Sequence, residues 1–142
     1  MKPIATRLRT PWADEALEAE LPLAEYPRPQ LQRTEWVCLN GRWEYAVTPS
    51  AAGDLADEVL PVDYDGHIRV PFALETVASG VTRGLQDDET LFYRRLIELP
   101  AQWSSKRLML NFEAVDYEAA IWVNGQFAGE HRGGYLPFSI EL

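Results

Sequence analysis

The sequence predicts an all-β fold, an antiparallel β-sandwich with an extended segment at its N-terminus. Three observations carry this. Apolar side chains recur at every second position in several short stretches, an Asn-Gly pair joins two strand-like runs, and no stretch sustains a long helical period.

The first 33 residues stand apart from the rest. Residues 13–21 carry four acids and three alanines behind Thr10-Pro11. Thr at an N-cap followed by Pro at the first helical position predicts a short helix there. Pro22, Pro27 and Pro29 then interrupt any regular element, so an extended arm is expected over 1–33, with the folded domain over 34–142.

Beyond the arm the period becomes two. In 42–47, Trp43, Tyr45 and Val47 alternate with Arg42, Glu44 and Ala46. Leu91, Tyr93, Ile97 and Leu99 repeat this less regularly, with Arg95 intruding. Leu108, Leu110 and Phe112 share one side of 106–112, and Phe138, Ile140 and Leu142 alternate with Ser139 and Glu141. Each reads as a strand with one face in a core. The strongest local signal is 119–123, then Asn124-Gly125, then 126–131. A two-residue type I′ turn needs positive φ at both central positions, which Asn and Gly tolerate best. Residues 119–123 are apolar on both sides, with Ile121 one way and Trp122 the other, which predicts a central strand covered on both faces.

Composition bounds the function. The 142 residues are enough for one domain with a proper core, and five Trp, six Tyr and five Phe argue against disorder. Thirteen basic against 22 acidic side chains leave a net charge of −9. Such a chain is repelled by phosphate backbones and anionic lipid, so neither nucleic acid nor a membrane is an expected partner. No window approaches the roughly 18 apolar residues of a membrane span. The N-terminal Met1-Lys2-Pro3-Ile4-Ala5-Thr6-Arg7 lacks the apolar run of a secretory signal, so a cytoplasmic location is expected. Cys38 is the single cysteine, and with His67 and His131 it makes no zinc-ligand spacing. No metal and no cofactor is expected.

Three stretches together resemble the N-terminal sugar-binding domain of glycoside hydrolase family 2, the family of β-galactosidases, β-glucuronidases and β-mannosidases. The first is Tyr26-Pro27-Arg28-Pro29-Gln30 followed by Trp36-Val37-Cys38-Leu39-Asn40-Gly41-Arg42-Trp43-Glu44-Tyr45. The second is Val70-Pro71-Phe72-Ala73-Leu74-Glu75, Ser79-Gly80-Val81 and Phe92-Tyr93-Arg94-Arg95. The third is Phe112-Glu113-Ala114-Val115-Asp116-Tyr117, Trp122-Val123-Asn124-Gly125 and His131-Arg132-Gly133-Gly134-Tyr135-Leu136-Pro137-Phe138. The resemblance implies a jelly-roll β-sandwich, followed in the family by an immunoglobulin-like domain and a TIM barrel holding the two catalytic glutamates of a retaining mechanism. It also implies that further strands of the jelly roll follow Leu142. Open sheet edges would then invite pairing with the barrel and those strands of the parent chain, or homo-oligomerisation.

Several residues are candidates for chemistry. Asp87 and Asp88, with Glu89, form an acidic loop that could grip sugar hydroxyls, or a solvated turn before the Leu91 strand. His131, Arg132 and Tyr135 could line a polar cleft beside Gly133 and Gly134; alternatively the glycines make a bulge or bend and Tyr135 covers the core. Asp116 reads as a turn former. His67 reads as a surface or turn histidine, and Cys38 as a small buried apolar residue. Trp36, Trp43 and Trp122 read as core, and Trp103 as packing under the sandwich. Trp12, Tyr26 and Trp103 are the aromatics that strand periodicity explains least.

The functional expectation is a non-catalytic domain of a glycosidase that hydrolyses terminal β-glycosides, reached by carbohydrate through the parent's active site. The alternatives are a stand-alone carbohydrate-binding module and a β-sandwich interaction domain. The chain offers no Ser-His-Asp set, no metal-ligand spacing and no Gly-rich phosphate loop, so alone it is expected to be inactive.

Overall fold

The computed structural model describes residues 11–25, 27, 29–51 and 53–142. The expected Thr10 cap, and Tyr26 and Arg28 of the proline-rich arm, lie outside the described residues. Among the described residues every strand pairing is antiparallel, as the expected antiparallel sandwich requires. The strands fall in two compact units, Met1–Pro49 with Pro61–Arg95 and Ser50–Leu60 with Leu96–Leu142.

In the first unit, β1 (Gly41–Pro49) lies between β2 (Gly66–Val70) and β3 (Glu89–Arg94). Trp43 faces Ile68, Glu44 faces both His67 and Arg94, and Ala46 faces Phe92. Residues directly opposite share a face of the sheet, so Trp43 and Ile68 cover one side while Ala46 and Phe92 cover the other. Ala46, Ile68, Leu74 and Phe92 are buried. The alternation in 42–47 had placed Trp43, Tyr45 and Val47 inward, and all three are half-buried, whereas Ala46 between them is buried. A central strand is covered on both faces, and a small alanine does not register in a period-two pattern.

The expected strand through Ile97 and Leu99 stops at Arg94. Arg95 leaves the sheet, and its Nη1 donates to the carbonyls of Leu39 (2.7 Å) and Asn40 (2.6 Å). That side chain, which broke the pattern, ends the strand.

The N-terminal segment is pinned to this sheet. Helix α1 is shorter than the acid- and alanine-rich stretch, spanning Ala13–Glu18 with Trp12 at the N-cap and no side-chain cap. A helix of six residues cannot hold itself in water. Its C-terminal carbonyls are taken by Arg69 of β2, which donates to Leu17 (2.8 Å), Ala16 (2.8 Å) and Ala19. This placement suits both the orphan carbonyls and the negative end of the helix. Pro22 is fully buried, and Asn40 Nδ2 donates to its carbonyl at 3.0 Å. Further along, Val77–Ser79 forms a single 3-10 turn with Thr76 as its cap and Gly80 in the left-handed region (φ 83°) behind it. The buried Ser79 hydroxyl donates to the Leu74 and Thr76 carbonyls and accepts from Val81 N, which satisfies it.

In the second unit β4 (Met109–Phe112) pairs with β7 (Phe138–Glu141), and β5 (Glu118–Val123) pairs with β6 (Gln126–Arg132). The β5–β6 turn has positive φ at Asn124 (52°) and Gly125 (78°), as the type I′ expectation required. Among the described residues β5 has one hydrogen-bonded neighbour, so it is not the central strand its apolar faces suggested. The short Leu55–Asp57 turn packs against it instead, so an apolar face records coverage and not strand neighbours. The register shifts between Ile121, opposite Gly129, and Trp122, opposite Phe127, which leaves Ala128 as the extra residue of a bulge. The glycines 133 and 134, where a bulge or bend was expected, make a bend after β6 ends.

Candidate functional site

The five candidate residues do not converge. Asp87 and Asp88 belong to the first unit, exposed in the turn before β3. The neighbouring Glu89 is committed to structure, since it accepts from Arg83 Nη2 (2.6 Å) and from the Gln86 amide (3.0 Å). His131, Arg132 and Tyr135 belong to the second unit. Tyr135 is 95% exposed, which overturns its reading as a core cover: the bend at Gly133 and Gly134 carries its ring away from the sheet.

His131 and Arg132 do share a cleft. It measures about 470 Å³ and is lined by Asp54, Leu55, Glu118, Ala119, Glu130, His131 and Arg132. Arg132 Nη2 lies 2.7 Å from Glu118 Oε1, its direct cross-strand partner. The His131 ring stacks on Phe138 with centroids 4.1 Å apart, and Phe138 stacks on Phe112 at 4.6 Å. His131 Nε2 is buried and finds no hydrogen-bond partner among the described residues. Three carboxylates, one guanidinium and one imidazole give this cleft many acceptors and few donors. It suits a neutral polyhydroxyl ligand better than an anion.

Asp54, Leu55, Glu118 and Glu130 were missed in the sequence. The turn at Asn124-Gly125 sets a register that, without a bulge, would place Glu118 opposite His131. The extra Ala128 moves the pairing by one, so Glu118 meets Arg132. No local signal marks the Leu55–Asp57 turn as a neighbour of β5.

The first unit holds a second cleft of about 400 Å³, lined by Leu17, Ala19, Glu20, Arg42, His67, Ile68, Arg69, Ser79 and Gly80. His67 is a surface histidine as expected, but it sits on β2 and not in a turn. Its Nδ1 lies 3.0 Å from Arg42 Nη2. A guanidinium carries only N–H donors, so Arg42 donates and the imidazole nitrogen accepts.

Two carboxyl groups are held below the usual carboxylate range. The hydrogen bond from Arg94 Nε (2.6 Å), helped by its charge, lowers Glu44. The paired bonds from Arg107 (2.7 and 2.6 Å) lower Glu141. A general acid needs the opposite displacement. Among the described residues no group of three or more His, Cys, Asp or Glu side chains is placed to hold a metal ion, and no helix is long and apolar enough to cross a membrane.

A family model described as "Glycosyl hydrolases family 2, sugar binding domain" matches residues 65–142. The chain is 30% identical over 108 residues to a β-glucuronidase of Bacteroides fragilis, covering 75% of this chain and 14% of that protein. It is 37% identical over 51 residues to a β-galactosidase of Thermoanaerobacter pseudethanolicus, covering 36% and 7%. Among solved structures, it resembles the Faecalibacterium prausnitzii β-glucuronidase with a TM-score of 0.54 and 29% identity, over 72% of this chain and 17% of that one. The β-glucuronidase of an uncultured Clostridium gives a TM-score of 0.51 at 25% identity over 72% and 18%. The chain belongs to glycosyl hydrolase family 2, and it is the sugar-binding domain of that family. It spans no more than 14% of the length of the curated relatives named here.

Proposed function

We propose that the chain is the non-catalytic sugar-binding domain of a retaining β-glycosidase, with β-glucuronides the first substrate class and β-galactosides the second. The observation that carries this is the relative sharing 75% of the chain, which is a β-glucuronidase. Retaining hydrolysis takes two carboxyl groups about 5 Å apart, one with a raised pKa. Glu44 and Glu141 are displaced the wrong way for that role. The test is hydrolysis of p-nitrophenyl β-D-glucuronide and β-D-galactoside by this chain alone and by the longer polypeptide that carries it. Turnover of the glucuronide by the longer protein, with none by the chain, is the expected result. Turnover by the chain alone, surviving a purification control, would sink the non-catalytic assignment.

A second reading is favoured by the Glu118–Arg132 pair beside His131, whose buried Nε2 has no hydrogen-bond partner among the described residues. This cleft would hold a neutral glycoside on its own, as a binding module does. Saturable amide shifts at Ala119 and Glu130 on titration with methyl β-D-glucopyranoside, abolished in Arg132→Gln, would support it; a flat titration would remove it.

A further inference from the structure

In a chain of net charge −9, the face of the first-unit sheet that carries Arg42 also carries Arg69, His67 and Arg94, against a single carboxylate, Glu44. All of these groups except Arg42 and His67 are committed. Arg94 is bound to Glu44 and lies over the Tyr64 ring at 4.0 Å. Arg69 is spent on the carbonyls of Ala16, Leu17 and Ala19. Among the described residues Arg42 finds no carboxylate; its one acceptor is the Nδ1 of His67, at the cleft beside the N-terminal segment. A guanidinium resting on a neutral acceptor gains a stronger, charge-assisted bond when an anion replaces it.

We infer that Arg42 and His67 form a carboxylate-binding site for a uronate sugar. The cleft volume of about 400 Å³ lies within the range of small-ligand sites. Leu17 and Ala19 offer apolar surface for the C–H face of a pyranose, and Glu20 offers an acceptor for a hydroxyl. The strongly acidic remainder of the chain repels polyanions at long range, which favours a ligand with one negative charge. The choice of uronate rests on the β-glucuronide reading above; the anion site itself rests on the geometry.

The test is titration of the full chain with sodium D-glucuronate, methyl β-D-glucopyranoside and inorganic phosphate, read by NMR on the backbone amides of Arg42 in β1 and of position 67 in β2. The expected result is a saturable shift with glucuronate, which Arg42→Gln and His67→Asn should each weaken about five-fold or more. Unchanged amide shifts at Leu91 and Phe92 of β3, in the same unit, confirm that each variant is folded. A shift of equal affinity with the neutral glucoside, phosphate binding as tight as glucuronate, or variants that bind as the parent chain does overturns the inference. Hydrolysis assays test the parent reading and do not enter this one, so each fails by its own readout.

Discussion

Gly134 packs against Asp116 so closely that a Cβ at position 134 would stand 2.9 Å from the carboxyl carbon and 3.2 Å from the Cβ of that residue. The bend after β6 and the turn before β5 are locked together at this point, and the Gly133 amide adds a 2.7 Å bond to the Tyr117 carbonyl. Gly134→Ala must push the Asp116 carboxyl away. Overpacking of this kind costs about 1–3 kcal/mol, and the urea midpoint should fall accordingly. A midpoint unchanged from the parent chain would show that the two loops yield freely.

Gly125 tests the backbone alone. Nothing lies within 4 Å of a Cβ built there, but its φ is +78°. Gly125→Ala should therefore cost roughly 1–2 kcal/mol from left-handed strain, while Asn124→Gly should stay within about 0.5 kcal/mol. Thermal melts of the two variants side by side separate strain from contact.

Arg69→Met removes three bonds to the end of α1. Hydrogen bonds to charged groups contribute about 1.5–3 kcal/mol, and a helix of six residues has little else. The Ala19 amide, bonded to the Glu15 carbonyl at 3.0 Å, should lose its protection from hydrogen exchange while amides of β5 and β6 keep theirs. Arg69→Lys should rescue only part of it, because a single ammonium cannot span three carbonyls in a planar fork.

The acid limb of stability should be set in part by Glu44 and Glu141. Each carboxyl is lowered in the folded chain, by hydrogen bonds from Arg94 and Arg107 respectively. A depressed folded pKa gives stability that is present above the unfolded carboxylate range and lost as pH falls through the folded value. Both pairs are largely exposed, so each effect is small and screened by salt. Glu44→Gln should flatten the acid side of a stability-versus-pH curve at low ionic strength, and 1 M salt should erase the difference.

Tyr93 acts at the other end. Burial, with the nearby Glu75 charge behind it, raises its phenol above the usual value. A raised pKa gives stability that is full below the unfolded value and lost as pH rises through the folded one. Tyr93→Phe should remove that alkaline loss, as read by near-UV melts above about pH 10.

The hairpin shows how far sequence reasoning reaches. Asn124-Gly125 announced its turn type, because positive φ is a property of the two residues themselves. The bulge at Ala128 left no such mark, and the single extra residue decides that Glu118 meets Arg132 and not His131. Arg95 broke a strand pattern visibly, yet its destination, the Leu39 carbonyl 56 residues back, was not readable. Tyr135 had two readings, in a polar cleft or over the core, and the bend at the two glycines before it carries it to full exposure.

Strand periodicity, turn chemistry and family membership are written in runs of two to ten residues, because side-chain alternation and left-handed φ are local consequences of backbone geometry. The clefts belong to another scale. Arg69 reaches carbonyls about 50 residues away, Arg42 finds His67 25 residues away, and Asp54 joins Glu118 through a packed turn. Such neighbours are fixed by strand register and by which carbonyls are left needing a donor, and both exist only once the chain has folded.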